Sequence, residues 1–290
     1  MVICSLIGDS AILIASIKYK AFNLHKIVVA FIQHVAVCDL MNAALSILPT
    51  TVSIFCNSGG SSKILNYVRF FILYCVNCLS ACLIAALSLG KLVLLKYPLR
   101  STAWSKWHAH KICAAIWLAS VAPSIMHLIV DKDEVIFDYR VYTCTHSYQS
   151  REWKVLLPIF ASIFLLIPNG IIIVSTVLLL NEARKVVSGT EETLRWKGIM
   201  TVVLTATVYT LSILPPTVYF VAEPFVEKTI VPGPFFMQYL RVANAVFYFH
   251  ILANFFVYSL TVTSFARFLK TKFRQTVSFL SIGFSSSGNI

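Results

Sequence analysis

Charge is what this sequence has least of. Only 12% of its 290 residues are Asp, Glu, Lys or Arg, while 58% are hydrophobic. A soluble domain carries roughly 25% charged residues, so a surface bathed in water on all sides is excluded. Acids are the scarcer sign: 12 Asp and Glu stand against 24 Lys and Arg, a net charge of +12. That excess falls in short loops between apolar runs, not in one patch, so it reads as a topology signal and not as a nucleic-acid surface. N-x-[ST] acceptors are absent, so glycosylation does not report sidedness. No nucleophile–base pair or phosphate loop occurs either, so an enzyme is not expected. Of eight cysteines, Cys4, Cys38, Cys75, Cys78, Cys82 and Cys113 lie in apolar runs and read as small packing residues. Only Cys56 and Cys144 fall in loops.

What is present is a series of long apolar segments. Phe70 to Leu89 carries no charge over 20 residues, about the length that crosses a bilayer core as a helix. Within it Leu73, Asn77, Ser80, Ile84, Leu87 and Lys91 recur every three or four residues and share one face. Lipid offers no partners to such a polar stripe, so this helix is expected at the centre of a bundle. Seven spans are predicted: Met1–Ile17, Ile27–Phe55, Ile64–Leu95, Ile112–Val130, Val155–Leu180, Gly198–Ala222 and Phe235–Val262. Asp39 and Pro49 interrupt the second, and the Pro215–Pro216 pair marks the sixth. The first has no basic start and carries Asp9, unlike a signal peptide. It is short for a span, which leaves open an amino terminus further upstream. Asp131 to Lys154 is predicted to be a long charged loop. Ser264–Gln275 reads as an amphipathic helix on the membrane surface, and the domain is expected to end near residue 276, with 277–290 a disordered cytoplasmic tail. Sixteen Lys and Arg fall on the side of the loops at 18–26, 91–111, 184–197 and 267–274, and eight on the other. The richer side is expected to be cytoplasmic, with the amino terminus outside.

In this order the segments carry a set of motifs: GDSAIL with Asp9, VAVCDL with Asp39, GKLVLLKYPL at Gly90–Leu99, Trp117, Pro168, SILP at Ser212–Pro215, NFFVY at Asn254–Tyr258, and Phe265 seven residues on. Their order and spacing resemble the rhodopsin-like (class A) G-protein-coupled receptors over nearly the whole chain. The resemblance implies an all-α membrane protein, a seven-transmembrane helix bundle with an amphipathic surface helix after the seventh span. It implies a plasma-membrane receptor that turns binding of an extracellular ligand, unidentified here, into activation of a heterotrimeric G protein, with lipids as its other partners and no nucleic acid. Lys91, Arg195, Pro215, Asn254 and Tyr258 would then form the switch and coupling end. Leu73, Tyr74, Asn77, Phe160, Phe164, Pro216, Thr217, Phe220, Asn244 and Tyr248 would line the ligand region. Leu73 stands where amine receptors of the family have an acid, and no lysine occurs between Phe235 and Val262 to hold retinal.

The departures from the family pattern carry information too. Gly90–Lys91 replaces an Asp-Arg pair, so the planar five-donor fork is lost. Arg195 stands where an acid often faces that arginine. The cytoplasmic lock of the family therefore cannot form, which implies either raised basal activity or weak coupling. Thr176 replaces a fifth-helix tyrosine, and Ile213 the sixth-helix tryptophan. No protein cofactor is expected, but the resemblance implies a possible sodium ion held by Asp39, Ser80 and Asn254, with His250 one turn away. Asp9 then either shares a proton or cation with Asp39 or stands in for asparagine. Asn66 occupies the position of the family's bridging cysteine, so Cys144 either pairs with Cys56 or stays free. Two further readings remain open: a proton or cation pathway through Asp9, Asp39 and His250, and a receptor-like protein that does not couple.

Overall fold

The computed structural model describes residues 2–18, 24–55, 63–97, 104–130, 135–138, 143–146, 151–185, 190–222 and 234–286. Helix α1 spans Val2–Lys18. Helix α2 (Lys26–Asn42) continues through a π-helical turn, Ala43–Ile47, into α3 (Leu48–Phe55). Then come α4 (Lys63–Lys96), α5 (Lys106–Val130), strands β1 (Val135–Asp138) and β2 (Thr143–His146), α6 (Arg151–Lys185), α7 (Thr190–Ala222), α8 (Pro234–Thr261) and α9 (Thr263–Ser286).

Helix α4 packs against α2, α5, α6 and α7 and touches both strands, so it occupies the centre as its polar stripe required. Ser80, Ile84, Leu87 and Lys91 are buried on that stripe, while Leu89 on the far face is exposed. Helix α1 lies against α2 and α8 and closes the ring. The polarity is inverted relative to a soluble protein. Ile167, Leu118 and Leu260 are 60%, 76% and 80% exposed, whereas Asp9 and Asp39 are 1% exposed. An apolar outside around a polar inside is the arrangement that a hydrocarbon solvent demands. Among the described residues, Lys26–Val52, Ile64–Lys96, Ile163–Arg184, Trp196–Val218 and Arg241–Thr261 are long and apolar enough to cross a bilayer, and Val2–Ile17 is a shorter apolar helix. Helix α5 has the length, 25 residues, but begins with the polar stretch KWHAHK.

The prolines shape the helices through the amides they lack. Pro49 leaves the Leu45 carbonyl without its amide donor, and the chain widens into the π turn just before it. Thr50 and Thr51 donate hydroxyls to the carbonyls of Ser46 and Ile47, both at 2.8 Å. Arg69 of α4 donates Nη2 to the Pro49 carbonyl at 3.2 Å, which ties the bend to the central helix. In α7, Pro215 and Pro216 leave two successive carbonyls, Leu211 and Ser212, without their amide donors. Tyr239 of α8 donates its hydroxyl to the Pro215 carbonyl at 2.9 Å, and Thr217 donates to Ile213 at 2.7 Å.

Four boundaries differ from expectation. The segment 131–154 is not simply a loop: β1 and β2 pair antiparallel, with Phe137 opposite Cys144, and α6 begins at Arg151. Four alternating residues per strand are too few to stand out in a charged stretch. Helix α5 starts at Lys106, and the polar segment 181–197 is mostly helix, since α6 ends at Lys185 and α7 starts at Thr190. Lysines, arginines and glutamates extend a helix readily past its membrane face. Helix α9 runs to Ser286, beyond the Gln275 expected for the surface helix. Cys4 is exposed on α1 and is not a packing residue.

Gly8 sets the approach of α1 to α8. A Cβ there would lie 2.9 Å from Phe255 Cβ, an atom that cannot swing away. Gly8→Ala is therefore expected to destabilise the protein by about 1–3 kcal/mol through overpacking, read as a lower thermal midpoint in detergent. An unchanged midpoint would show that α1 is free to retreat.

Candidate functional site

Three helices bring acids and an amide together at mid-bundle. Asn254 on α8 donates Nδ2 to Asp39 Oδ2 on α2 at 2.7 Å, with both residues buried. Asp9 on α1 is buried within electrostatic reach of Asp39, and neither of its carboxylate oxygens has a hydrogen-bond partner. Ser80 of α4 lies beside this group, its hydroxyl 3.2 Å from Cys38 Sγ. Asn42, one turn after Asp39, is fully buried with its side-chain oxygen and nitrogen both unpartnered. By donor type the oxygens of Asp9 and Asp39 suit a hard monovalent cation such as sodium. Ser80 and Asn254, however, are turned to Cys38 and to Asp39.

His250 is buried on α8 with Nδ1 donating to the Phe247 carbonyl. Its Nε2 has no partner, and its ring meets Tyr209 of α7 edge-on at 5.2 Å. Tyr209, fully buried, in turn lies within electrostatic reach of Asp39. His250 thus approaches the acids through Tyr209.

At the basic end, Lys91 is buried and reaches across to α7. A Cβ on Gly198 would lie 3.2 Å from Lys91 Nζ and 3.0 Å from Leu24 Cδ2. Gly198 is therefore a notch that admits the lysine and the leucine of the loop before α2. Thr201 of α7 donates to Thr261 of α8 at 2.8 Å, so these two helices are tied beside the notch. Leu24, Lys197, Gly198, Thr261, Val262 and Ser264 line a small open cleft there. Tyr258 is buried with its hydroxyl toward Thr205 of α7.

The sequence matches the model of a family described as 7 transmembrane receptor (rhodopsin family) over residues 9–258. The chain belongs to this family. The match begins at Asp9 and ends at Tyr258, both of them buried residues described above. The chain is also similar to proteinase-activated receptor 1 of Xenopus laevis, 25% identical over 151 residues. That stretch is 50% of this chain and 34% of the relative, so the likeness spans about a third of that receptor's length.

In this receptor the residues expected to line the ligand region sit as follows. Leu73, Tyr74 and Asn77 are half-buried on α4, with the Tyr74 ring tilted against Phe70 at 4.5 Å between centroids. Phe164 is half-buried on α6, Thr217 buried on α7, and Asn244 and Tyr248 half-buried on α8. The side chains of Phe160, Phe220 and Arg195 lie outside the described residues, as do Cys56 and the side chain of Cys144, so their expected roles and the Cys56–Cys144 bridge are not addressed. Thr176 and Ile213, the two departures in α6 and α7, are buried.

Sequence reasoning missed Asn42, Tyr209, Gly198 and the Thr201–Thr261 pair. Asn42 carried a signal, because it repeats the face of Asp39 at i+3. Gly198 and the threonines carried none, since they matter only through helices distant in sequence.

Two predictions follow from this geometry. Asp9→Asn is expected to raise the thermal midpoint, because an amide costs less to bury unpaired than a carboxylate beside Asp39. A lower midpoint would show that Asp9 is engaged by an ion. Near the notch, His25 caps α2 by accepting the Ile27 N–H at 3.4 Å. Burial, then the charges of Lys91 and Lys26, hold its imidazole below the usual histidine range. Its contribution to stability is therefore present above the unfolded value of about 6.5 and fades as pH falls. His25→Asn, a neutral cap, is expected to reduce the loss of midpoint on acidification, and an identical pH profile would refute the assignment.

Proposed function

We propose that this chain is a plasma-membrane G-protein-coupled receptor with seven crossings and its amino terminus outside. Ligand binding at the hairpin end of the bundle shifts the helices at the basic, cytoplasmic end, where a heterotrimeric G protein reads the change. The observation that carries this reading is the placement of Lys91. It stands at the family's arginine position and is folded into the notch at Gly198, against the helix that has to move. Pro215–Pro216 gives α7 a pivot, because two successive amide donors are missing within one turn. Swinging α7 outward withdraws Gly198 from Lys91 and Leu24 and opens a groove of the kind that accepts an amphipathic helix. An arginine lock is replaced by burial of a lysine against a glycine, so close packing at Gly198 helps to hold the resting state.

The buried acids support a linked role. Two carboxylates in low dielectric repel unless a proton or cation lies between them. A sodium ion or a proton at Asp9 and Asp39 would bind the closed arrangement of α1, α2 and α8, and its loss would favour the open one.

Asp9, with both oxygens unpartnered, also favours a second reading, a proton or cation pathway. Flux through liposomes that is abolished by Asp39→Asn would support it. The coupling reading is tested by nucleotide exchange on G proteins in membranes holding the wild type or Lys91→Arg. Exchange above empty membranes, altered by that substitution, is expected. Absence of exchange with every G-protein class, for a chain shown to reach the cell surface, would overturn coupling and leave a non-coupling, receptor-shaped protein.

A further inference from the structure

Near the basic end, α2 and α5 are joined by a chain of rings that the receptor reading does not use. Trp117 donates its indole N–H to His34 Nδ1 at 3.3 Å. His34 Nε2 and His110 Nδ1 lie 3.0 Å apart, and the two rings meet edge-on. Trp107 stands edge-on to the other side of His110 at 5.9 Å. Trp117, His34 and His110 are half-buried, between the core and the surface.

The donors and acceptors allow one arrangement only. An indole nitrogen donates and never accepts, so His34 Nδ1 must carry a lone pair. The proton of His34 is then on Nε2, and His110 must accept it at Nδ1 through a lone pair of its own. Both imidazoles are neutral in this chain. A proton added at His34 Nδ1 would face the indole N–H, and a proton added at His110 Nδ1 would face His34 Nε2–H. Either addition converts a hydrogen bond into two opposed donors, and two imidazolium rings at this separation repel.

Among the described residues no compensating acid is paired with either ring. Helix α5 contains no Asp or Glu, and its other titratable groups near His110 are Lys106, His108, Lys111 and Cys113. His108 is engaged with Ser105 at 3.1–3.2 Å. On α2 the titratable groups are Lys26, Cys38 and Asp39, and Asp39 is bonded to Asn254. From α4, Cys75 and Cys78 face Ser124 and Ser120 of α5.

We propose that His34 and His110 form a proton-binding site that clamps α5 to α2 only when it is unprotonated. Uptake of a proton near neutral pH, the range in which histidine titrates, breaks the Trp117–His34–His110 chain. The basic ends of α2 and α5 then separate. The bonded state binds fewer protons than the parted one, so the clamp weakens as pH falls.

The test is the thermal midpoint of the full chain in lipid nanodiscs at about pH 7.5 and about pH 5.5. A His25→Asn background silences the cap of α2. Acidification is expected to lower the midpoint by about 2–4 °C, the size of one hydrogen bond in a chain of this length. In the double variant His34→Asn, His110→Asn that loss should fall by half or more. His108→Asn should behave as the parent. Equal losses in the parent and the double variant would overturn the proposal. If the double variant does not fold, nitrogen NMR of the parent histidines decides. An Nε2–H tautomer at His34 that gains a proton over this interval supports the clamp, and an Nδ1–H tautomer, or no proton uptake, refutes it.

Discussion

A carboxylate in the middle of a hydrocarbon layer has to find a partner inside the protein, and in this receptor Asp39 finds it in Asn254. The bond joins residues 215 positions apart and so fixes α2 and α8 against each other. Around it Asp9, Asn42, Ser80, Tyr209 and His250 are all buried, a polar cluster set within an otherwise apolar core. The outer surface is free to be aliphatic because lipid covers it. Placement of every helix follows from that inversion: faces with polar groups turn inward, and the helix with the longest polar stripe takes the centre.

The same shortage of partners governs the backbone. Pro49, Pro215 and Pro216 each remove an amide donor in a medium that supplies none, and nearby side chains bond other carbonyls around them. Threonine hydroxyls and Arg69 serve the bend at Pro49, and Tyr239 and Thr217 serve the Pro215–Pro216 pair. Arg69 and Tyr239 belong to neighbouring helices, so the two bends are held by tertiary contacts. A bend held from outside can be released from outside, which suits α7 to be the element that moves.

At the basic end, close packing surrounds a buried lysine. The lysine at the family's arginine position has no adjacent acid at Gly90, and its counterpart position carries Arg195. The fold answers by burying Lys91 beside Gly198 and Leu24 and by tying Thr201 to Thr261. Closure of this kind is sensitive to side-chain volume at residue 198, because a Cβ there would press on both Lys91 and Leu24.

The order of the apolar helices was legible in the sequence, since apolar runs and their basic loops are local properties. So were the inward face of α4 through Ser80, Ile84, Leu87 and Lys91, and the need to bury Asp39 and Asn254 with a polar partner, because a polar residue in an apolar run must be accommodated. The hairpin at 135–146 was not, as its strands of four residues hide in a charged loop. What tertiary structure alone decided is which side chains meet: Lys91 with Gly198, Thr201 with Thr261, and His34 with His110. These pairs bridge 60 to 107 positions, and they depend on how each helix is rotated and translated against its neighbours. Periodicity names the face a helix turns inward, but a rotation of one residue, about 100°, changes the partner it finds there.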